Sequence, residues 1–440
     1  MQSERELYLS VGIDVGADFS LMAAALPTQE IVGKPYKILH SSRKSVQGAI
    51  DRIFSLAREC GLPARIYMES TGIYHLPLYY KFKETGFQVY VLNALVTHAN
   101  KDTNIRNIHN DKFDAKRIAL LGLRPDLKTS IIPDDETAAV KALLREYHAM
   151  KKETSMYICR LKNQLRQSFP QYLPIFSKVN GKASMELLHR YPSPESVLTA
   201  DADELIEIIR QASGRGVTIA REKTAALRKA AEEAMFFGHG NEGICFLIRH
   251  YVEMIRLLDG RTADILKEIK RNLAGHPDSL FTRQVKLLET IPGAGFLTAV
   301  TILCEMGDFS AFHRPKQLYS YFGLDPAVRQ SGNSASPDLK ISKRGSPYAR
   351  RSFYIFALQS VSLRKNGEPK NPVLRAFYQE KCKSKAKMTA LGAVMHKLCN
   401  IVFAVLRDGK PFELMTPQEH RQRHLATAKL PDHIPAALGF

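Results

Sequence analysis

Asp111 and Asp114 stand three residues apart in the stretch from Asn104 to Ala119, NIRNIHNDKFDAKRIA, where a helix is expected to begin. That spacing puts both carboxylates on one helical face, with Lys112, Lys116 and Arg117 beside them. Acids crowded together repel, so such a pair either caps the helix or holds a divalent cation. For an isolated DxxD, capping is the ordinary explanation, because a carboxylate near a helix N-terminus meets free N–H groups and the positive end of the dipole. Two further acids shift that balance. Asp14 ends the hydrophobic run YLSVGID, and Glu69 ends another, RIYME. Singly, Asp14 is a turn residue and Glu69 a helix cap; together the four describe a two-metal phosphoryl-transfer site.

Two other stretches carry candidate chemistry. LETIPGAGFLTAVTILCEMGD has the helix, tight P-G-x-G turn and helix of a helix-hairpin-helix. There Gly293 and Gly295 would let backbone N–H groups approach a phosphate. An ordinary helix–helix connection has the same outline. YFGLDPAVRQSGNSASPDLKISKRGSPYARRSF follows, a loop rich in Ser, Gly, Arg and Lys. Loops of this length in a compact domain are functional or disordered. Ser331 lies between Gln330 and Gly332, where a tight turn would expose its hydroxyl. Alone, an SG pair carries almost no information. Arg329, Lys340, Lys343, Arg344, Arg350 and Arg351 would supply charge for a phosphate.

The elements that must position these residues follow from pattern. Strands are expected over 7–14, Ser20–Leu26 and Tyr36–His40, then an amphipathic helix from about Ser45 to Cys60. Ile66–Glu69 is the next strand, and Ser70, Thr71 and Gly72 turn into a helix that runs through Glu84. Val89–Leu92 precedes the helix near Asn110. The order β-β-β-α-β-α-β-α is that of an RNase H-like sheet, α/β in class, in which the first and fourth strands are neighbours. Asp14 and Glu69 then emerge side by side at strand ends, where open α/β sheets place ligands.

From Asp134 to Phe169 the pattern becomes one long helix, with Val140, Leu144, Ile158, Leu161 and Leu165 at heptad-like spacing. Ile244 to Leu273 is a second. Two such stripes form an antiparallel coiled-coil hairpin, a dimerisation arm, or a plain helical core. Residues 178–240 between them read as short helices with glycine-rich joints and no motif. The last third starts near Asp278; Ser346-Pro347 is a good N-cap and N1 pair, and a helix from Lys385 to Arg407 closes it. The chain is thus expected to divide into 1–133, a helical and coiled-coil region 134–277, and a mostly helical 278–440.

Composition bounds the partner. Among 440 residues, 45% are hydrophobic and 24% charged, as in a globular protein with real cores, yet the net charge is +19. Such a surplus favours a polyanion, and nucleic acid is the most economical one; a basic surface kept for solubility is the plainer alternative. Cys60, Cys159, Cys245, Cys304, Cys382 and Cys399 are scattered, without zinc or disulfide spacing, and read as reduced and mostly buried. The N-terminus MQSERELYLS lacks a signal-peptide core, and no apolar run of membrane-spanning length is expected. A cytoplasmic protein facing nucleic acid and no membrane is expected.

VGIDVG, IYMESTGIYH, NIRNIHNDKFDAKRIA, TIPGAGFLTA, YFGLDPAVRQSG and KISKRGSPYARR occur in one order over roughly residues 7–170 and 280–410. Together they resemble the DEDD transposases of the insertion-sequence "IS one-ten" family, also called bridge-RNA-guided recombinases. The resemblance implies a RuvC-like N-terminal domain whose acidic tetrad falls on Asp14, Glu69, Asp111 and Asp114, holding Mg²⁺, as two ions. It implies a C-terminal transposase domain whose serine nucleophile falls on Ser331. It further implies cutting and rejoining of donor and target double-stranded DNA through a 5′-phosphoserine link, guided by a structured RNA, in a bacterial or archaeal cell and at its nucleoid. Two duplexes cut at matched positions need at least two active centres, hence a dimer or tetramer. Two departures stand out: residues 178–275 are longer than a compact member needs, and the loop after Gly332 reads NSASPDLKISKRG rather than glycine-rich. Ser334 and Ser336 therefore stay open as less favoured nucleophiles. The alternatives are a RuvC-like metal-dependent nuclease or Holliday-junction resolvase using activated water, and a non-catalytic nucleic-acid-binding scaffold.

Overall fold

The computed structural model describes residues 7–70, 73–92, 111–125, 127, 129–130, 135–214, 216–237, 241–325, 330–331, 334–335, 341–416, 418–419 and 421–422. Asn110, Thr71 and Gly72, where two helix starts were expected, lie outside them. The chain divides into two compact units, 1–132 and 133–440.

The first unit is a mixed sheet. β1 (Leu9–Val15), β2 (Phe19–Ala25), β3 (Ile31–Leu39), β4 (Ala64–Glu69), β5 (Gln88–Leu92) and β6 (Thr129–Ser130) lie in the order β3-β2-β1-β4-β5-β6. β1 pairs antiparallel with β2 and parallel with β4, the adjacency of first and fourth strands expected from the element order. β3 starts at Ile31, earlier than expected, and β6 was not expected at all.

β1 is central, so both its faces are covered and nearly all of LSVGIDV is buried. On one face Val11, Ile13, Val15, Ile66 and Met68 share a core with Ile50 and Ile53 of α1 (Arg43–Cys60) and Leu78 and Phe82 of α2 (His75–Glu84). The Ser42 hydroxyl accepts from the Ser45 amide, which starts α1 two residues ahead of the expected Ser45, and Gly61 at φ 64° ends it.

On the other face lies α3 (Asp111–Gly122). A Cβ at Gly12 would overlap the Ala119 nitrogen and the Ala115 carbonyl oxygen, and would stand 2.8 Å from Ala119 Cα. Ser10 Oγ donates to the Ala119 carbonyl at 2.6 Å, and Tyr8 hydroxyl to that of Gly122 at 2.7 Å. Gly12 thus lets the α3 backbone at Ala115 and Ala119 rest directly on β1, and Gly122 leaves room for the side chains of Ser10 and Tyr67. Gly12→Val forces those backbones apart and should cost about 3 kcal/mol. Urea melts of the full chain, followed on the first unit's transition, should show it; an unshifted midpoint would mean that α3 does not rest on β1.

The second unit is helical and is built on two 34-residue helices, α4 (Asp135–Ser168) and α9 (Glu242–Gly275), each about 50 Å long. They run antiparallel. Val140 and Leu144 share a core with Ile269 and Leu273, Leu161 and Leu165 share another with Ile244 and Ile248, and Lys151 pairs with Asp259 at 2.9 Å in between. The second of those cores also takes in α5 (Lys182–Arg190), α6 (Pro194–Thr199), α7 (Ala202–Ser213) and α8 (Val217–Met235). At 19 residues, α8 is not one of the short helices expected for this stretch. The first core is completed by α10 (Leu280–Glu289), α11 (Phe296–Met306), α12 (Pro315–Tyr321), α13 (Pro347–Val361), α14 (Pro372–Cys382) and α15 (Lys387–Asp408).

Two sequence expectations need correction. Only Cys304 and Cys399 are buried, whereas Cys159 is exposed and the other three are half-buried. Burial pushes the Cys399 thiol up to about 12, which keeps it inert. And α15 is long and apolar enough to cross a membrane, contrary to the expected absence of such a run, although 56% of its most apolar window is buried in the helical core.

Candidate active site

The register of β1 and β4 ends at the pair Ile13–Met68, so Asp14 and Glu69 occupy the next step on adjacent parallel strands. Ile13 and Met68 point into the core under α1 and α2, so alternation turns Asp14 and Glu69 toward the α3 face. α3 runs opposite to β1: Gly122 lies over Ser10, Ala119 over Gly12, and Ala115 packs on Leu21, the register partner of Asp14. The N-terminal turn of α3, with Asp111 and Asp114, therefore arrives at the Asp14 end of the sheet.

Glu69 is only 8% exposed and Asp14 is half-buried. The Asp114 carboxylate is held by the Arg117 guanidinium at 3.0 Å, one turn on. The side chains of Asp111 and Lys112 lie outside the described residues. Among the described residues no group of three or more His, Cys, Asp or Glu side chains is close enough to hold a metal ion. In kind, an all-carboxylate donor set suits a hard cation such as Mg²⁺.

The serine loop leaves and returns through a tight neck. Gly323, at φ 64°, leaves no room for a Cβ, which would stand 2.6 Å from the Arg344 nitrogen. A Cβ at Gly345 would stand 2.7 Å from the Phe322 carbonyl carbon. Ser342 donates twice to Asp325, hydroxyl to carboxylate at 2.6 Å and amide to carbonyl at 2.7 Å. The Arg350 guanidinium donates to the Gly345 carbonyl at 2.7 Å, which binds it to the neck. Lys343, Arg344 and Arg351 are exposed.

Beyond the neck, β7 (Gln330–Ser331) and β8 (Ser334–Ala335) form a two-strand ribbon in which Ser331 is paired with Ser334. Arg329, Ser336 and Lys340 fall outside the described residues.

Gly293 has a packing reason of its own. At φ 102° a Cβ there would stand 2.7 Å from the Ser360 nitrogen, and Ser360 Oγ donates to the Pro292 carbonyl at 2.9 Å. The turn is thus pressed against α13. Gly295 is exposed at the N-cap of α11 and faces open space.

One polar cluster escaped the sequence reading. Glu305, 5% exposed, accepts from Arg145 at 2.8 Å through one oxygen, while its other oxygen is buried without a partner. The Arg145 guanidinium lies 4.2 Å over the Tyr348 ring, and the His148 ring is 5.0 Å from the same tyrosine. His148 Nε2 is likewise buried without a partner. A lone Glu in the apolar helix FLTAVTILCEM was the visible sign.

Desolvation, then the Arg351 charge, holds the His148 imidazole below its ordinary pKa near 6.5; Glu305 opposes and Arg145 adds to the lowering. A depressed histidine makes the unfolded chain bind the proton more readily. Stability is thus full above about pH 6.5 and is lost as pH falls toward the folded pKa. Thermal melts between neutral and mildly acid pH should show that loss, and His148→Gln should flatten it. An unchanged pH slope in the variant would rule His148 out as the cause.

Two family models match the chain. A transposase model of the IS110 DEDD type covers residues 11–170, and the model of the transposase IS116/IS110/IS902 family covers 285–379. Asp14, Glu69, Asp111 and Asp114 lie inside the first stretch and Ser331 inside the second. A 43.6 kDa insertion element IS110 protein of Streptomyces coelicolor is 23% identical over 416 residues, 92% of this chain and 97% of that protein. A pilin gene-inverting protein of Moraxella bovis is 32% identical over 167 residues, 38% of this chain and 47% of that protein. The transposase of insertion element IS1111A from Coxiella burnetii is 32% identical over 120 residues, 27% of this chain and 32% of that protein. With both ends matched in order and one relative aligned over nearly its whole length, the chain belongs to the IS110 family of DEDD transposases.

Proposed function

We propose that this protein is a DNA transposase and recombinase that cuts and rejoins strands through a covalent link between Ser331 and a DNA 5′-phosphate. Its sheet unit acts as an RNase H-like, RuvC-like domain, 134–277 as a helical arm that pairs in coiled-coil fashion, and 278–440 as the serine-bearing domain. The observation that carries this reading is the pair Asp14 and Glu69 on adjacent parallel strand ends, beside the helix turn of Asp111 and Asp114.

Asp14, Glu69, Asp111 and Asp114 would hold Mg²⁺, which supplies charge neutralisation at the scissile phosphate. Until then Arg117 neutralises Asp114. Ser331 Oγ loses its proton and attacks phosphorus; the Oγ–P bond forms, the P–O3′ bond breaks, and the leaving 3′ oxygen takes up a proton in exchange. The phosphoserine ester conserves the energy of the phosphodiester, so a 3′ hydroxyl from a second duplex reverses the step without ATP. Lys343, Arg344 and Arg351 offer exposed positive charge to the strand, whereas Arg350 serves the neck. Sequence choice is delegated to base pairing with a structured RNA, and the net charge of +19 suits both polyanions. Two duplexes call for a dimer or tetramer, and the work is cytoplasmic, at the nucleoid.

The test is to denature the reaction in mid-course. Protein attached to the 5′ end of a cut strand supports the recombinase. Cut ends with no protein attached overturn it in favour of a water-using nuclease or junction resolvase.

A further inference from the structure

The base of the serine loop borders a cavity of about 720 Å³, within the range of small-ligand sites. Its lining is chemically divided. Arg314 and Lys316 stand at its edge, and Tyr319 and His396 form an aromatic wall with ring centroids 4.4 Å apart, edge to face. Asn400 and Asp325 contribute oxygen acceptors. Gly392 and Ala393 of α15 add small residues to the lining, and nothing lies within 4 Å of where a Cβ would sit on Gly392. Asp325 is also the residue that holds Ser342 at the neck, so the cavity shares a residue with the anchor of the loop that carries Ser331.

We propose that this cavity receives a single unpaired nucleotide, and the inference rests on the function proposed above. Arg314 and Lys316 take the phosphate, and the aromatic wall stacks the base, a contact open to any base through its π-face. Asn400 and the Asp325 carboxylate accept from an exocyclic amine, so adenine, cytosine and guanine are favoured over thymine and uracil. The negative charge of Asp325 repels a phosphate, which therefore goes to the side of Arg314 and Lys316. A DNA strand and an RNA strand both present this chemistry.

The experiment uses the full chain in EDTA, so that no cutting intervenes. Duplex probes carry one unpaired 2-aminopurine, which has the required amine and reports stacking by its fluorescence. They are made as DNA and as RNA, each beside a fully paired control. The wild-type chain is expected to quench the probe and to prefer the bulged duplex about tenfold, the scale of one base stack. The duplex type that shows the preference identifies the source. Gly392→Leu fills the cavity without touching a charge and suits a helix interior; it should erase the preference while keeping affinity for the paired control. Asn400→Ala, should the leucine variant not fold, ought to lower the preference for amine-bearing bases alone. A wild-type chain with no preference overturns the cavity proposal, and so does a folded Gly392→Leu chain that keeps the preference. A chain that binds neither kind of duplex overturns the proposed function as well.

Discussion

Strand cutting is expected to fall by about a thousandfold or more when Asp111 and Asp114 are both replaced by alanine, with nucleic-acid binding nearly intact. The size follows from what the two carboxylates are asked to do. A cation clamp at a phosphate is worth several kcal/mol, and each 1.4 kcal/mol is about tenfold in rate. The fold should survive, because α3 is seated by Gly12, Ala115, Ala119 and Gly122, not by its acids. The loss of favourable dipole contacts at its N-terminus is about 0.3–1 kcal/mol per acid. Binding should not suffer either. Removing two negative charges from a chain of net charge +19 only strengthens its attraction for a polyanion, and Arg117, freed from Asp114, adds to it. Gel shifts in EDTA and cutting assays across a Mg²⁺ titration separate the two effects. A double variant that cuts at the unaltered rate would remove the tetrad from the mechanism and return Asp111 and Asp114 to helix capping.

Much of this was readable in advance, and the misses share a cause. The sheet order followed from the succession of elements, since two hairpin-linked strands and two helical crossovers leave little choice about which strands meet. That Asp14 and Glu69 stand on neighbouring strands was legible because each follows an apolar run that forms a buried strand. What escaped depends on partners remote in sequence. Gly12 stood in the strand pattern as one more small residue; only the Ala115–Ala119 backbone explains why nothing larger fits. Gly293 has the spacing of a phosphate-loop glycine, and nothing along the chain shows that packing on Ser360 of α13 requires a glycine there as well. Glu305 and Arg145 are 160 residues apart, so neither points to the other along the chain. β6 is two residues long and polar, Thr129 and Ser130, and its pairing with β5 has no periodicity to announce it. The glycines around α8 suggest short helices with joints, whereas Ala220, Leu227 and Ala231 keep one buried stripe through nineteen residues.

Ser331→Ala should leave no protein attached to DNA in a denatured reaction, a loss to background, not a slowing. The reason is stoichiometric: Oγ is one partner of the bond that forms, and a methyl group cannot replace it. The substitution is mild in every other respect. The loop is closed at its neck by Gly323, Gly345, Ser342–Asp325 and Arg350, none of which involves Ser331, so its path should not change. Ser334 is the informative control, because it is the register partner of Ser331 across the ribbon. Ser334→Ala should therefore attach normally, and Ser331→Cys, which keeps a nucleophilic atom at the position, should retain a weak adduct as a thioester of phosphate. The measurement is a denaturing gel of reactions with each variant on an intact strand labelled on the 3′ side of the cut, the side that keeps the 5′-phosphate. Attachment that persists in Ser331→Ala and vanishes in Ser334→Ala would move the nucleophile to the other strand of the ribbon. Attachment that persists in both would take it out of the ribbon.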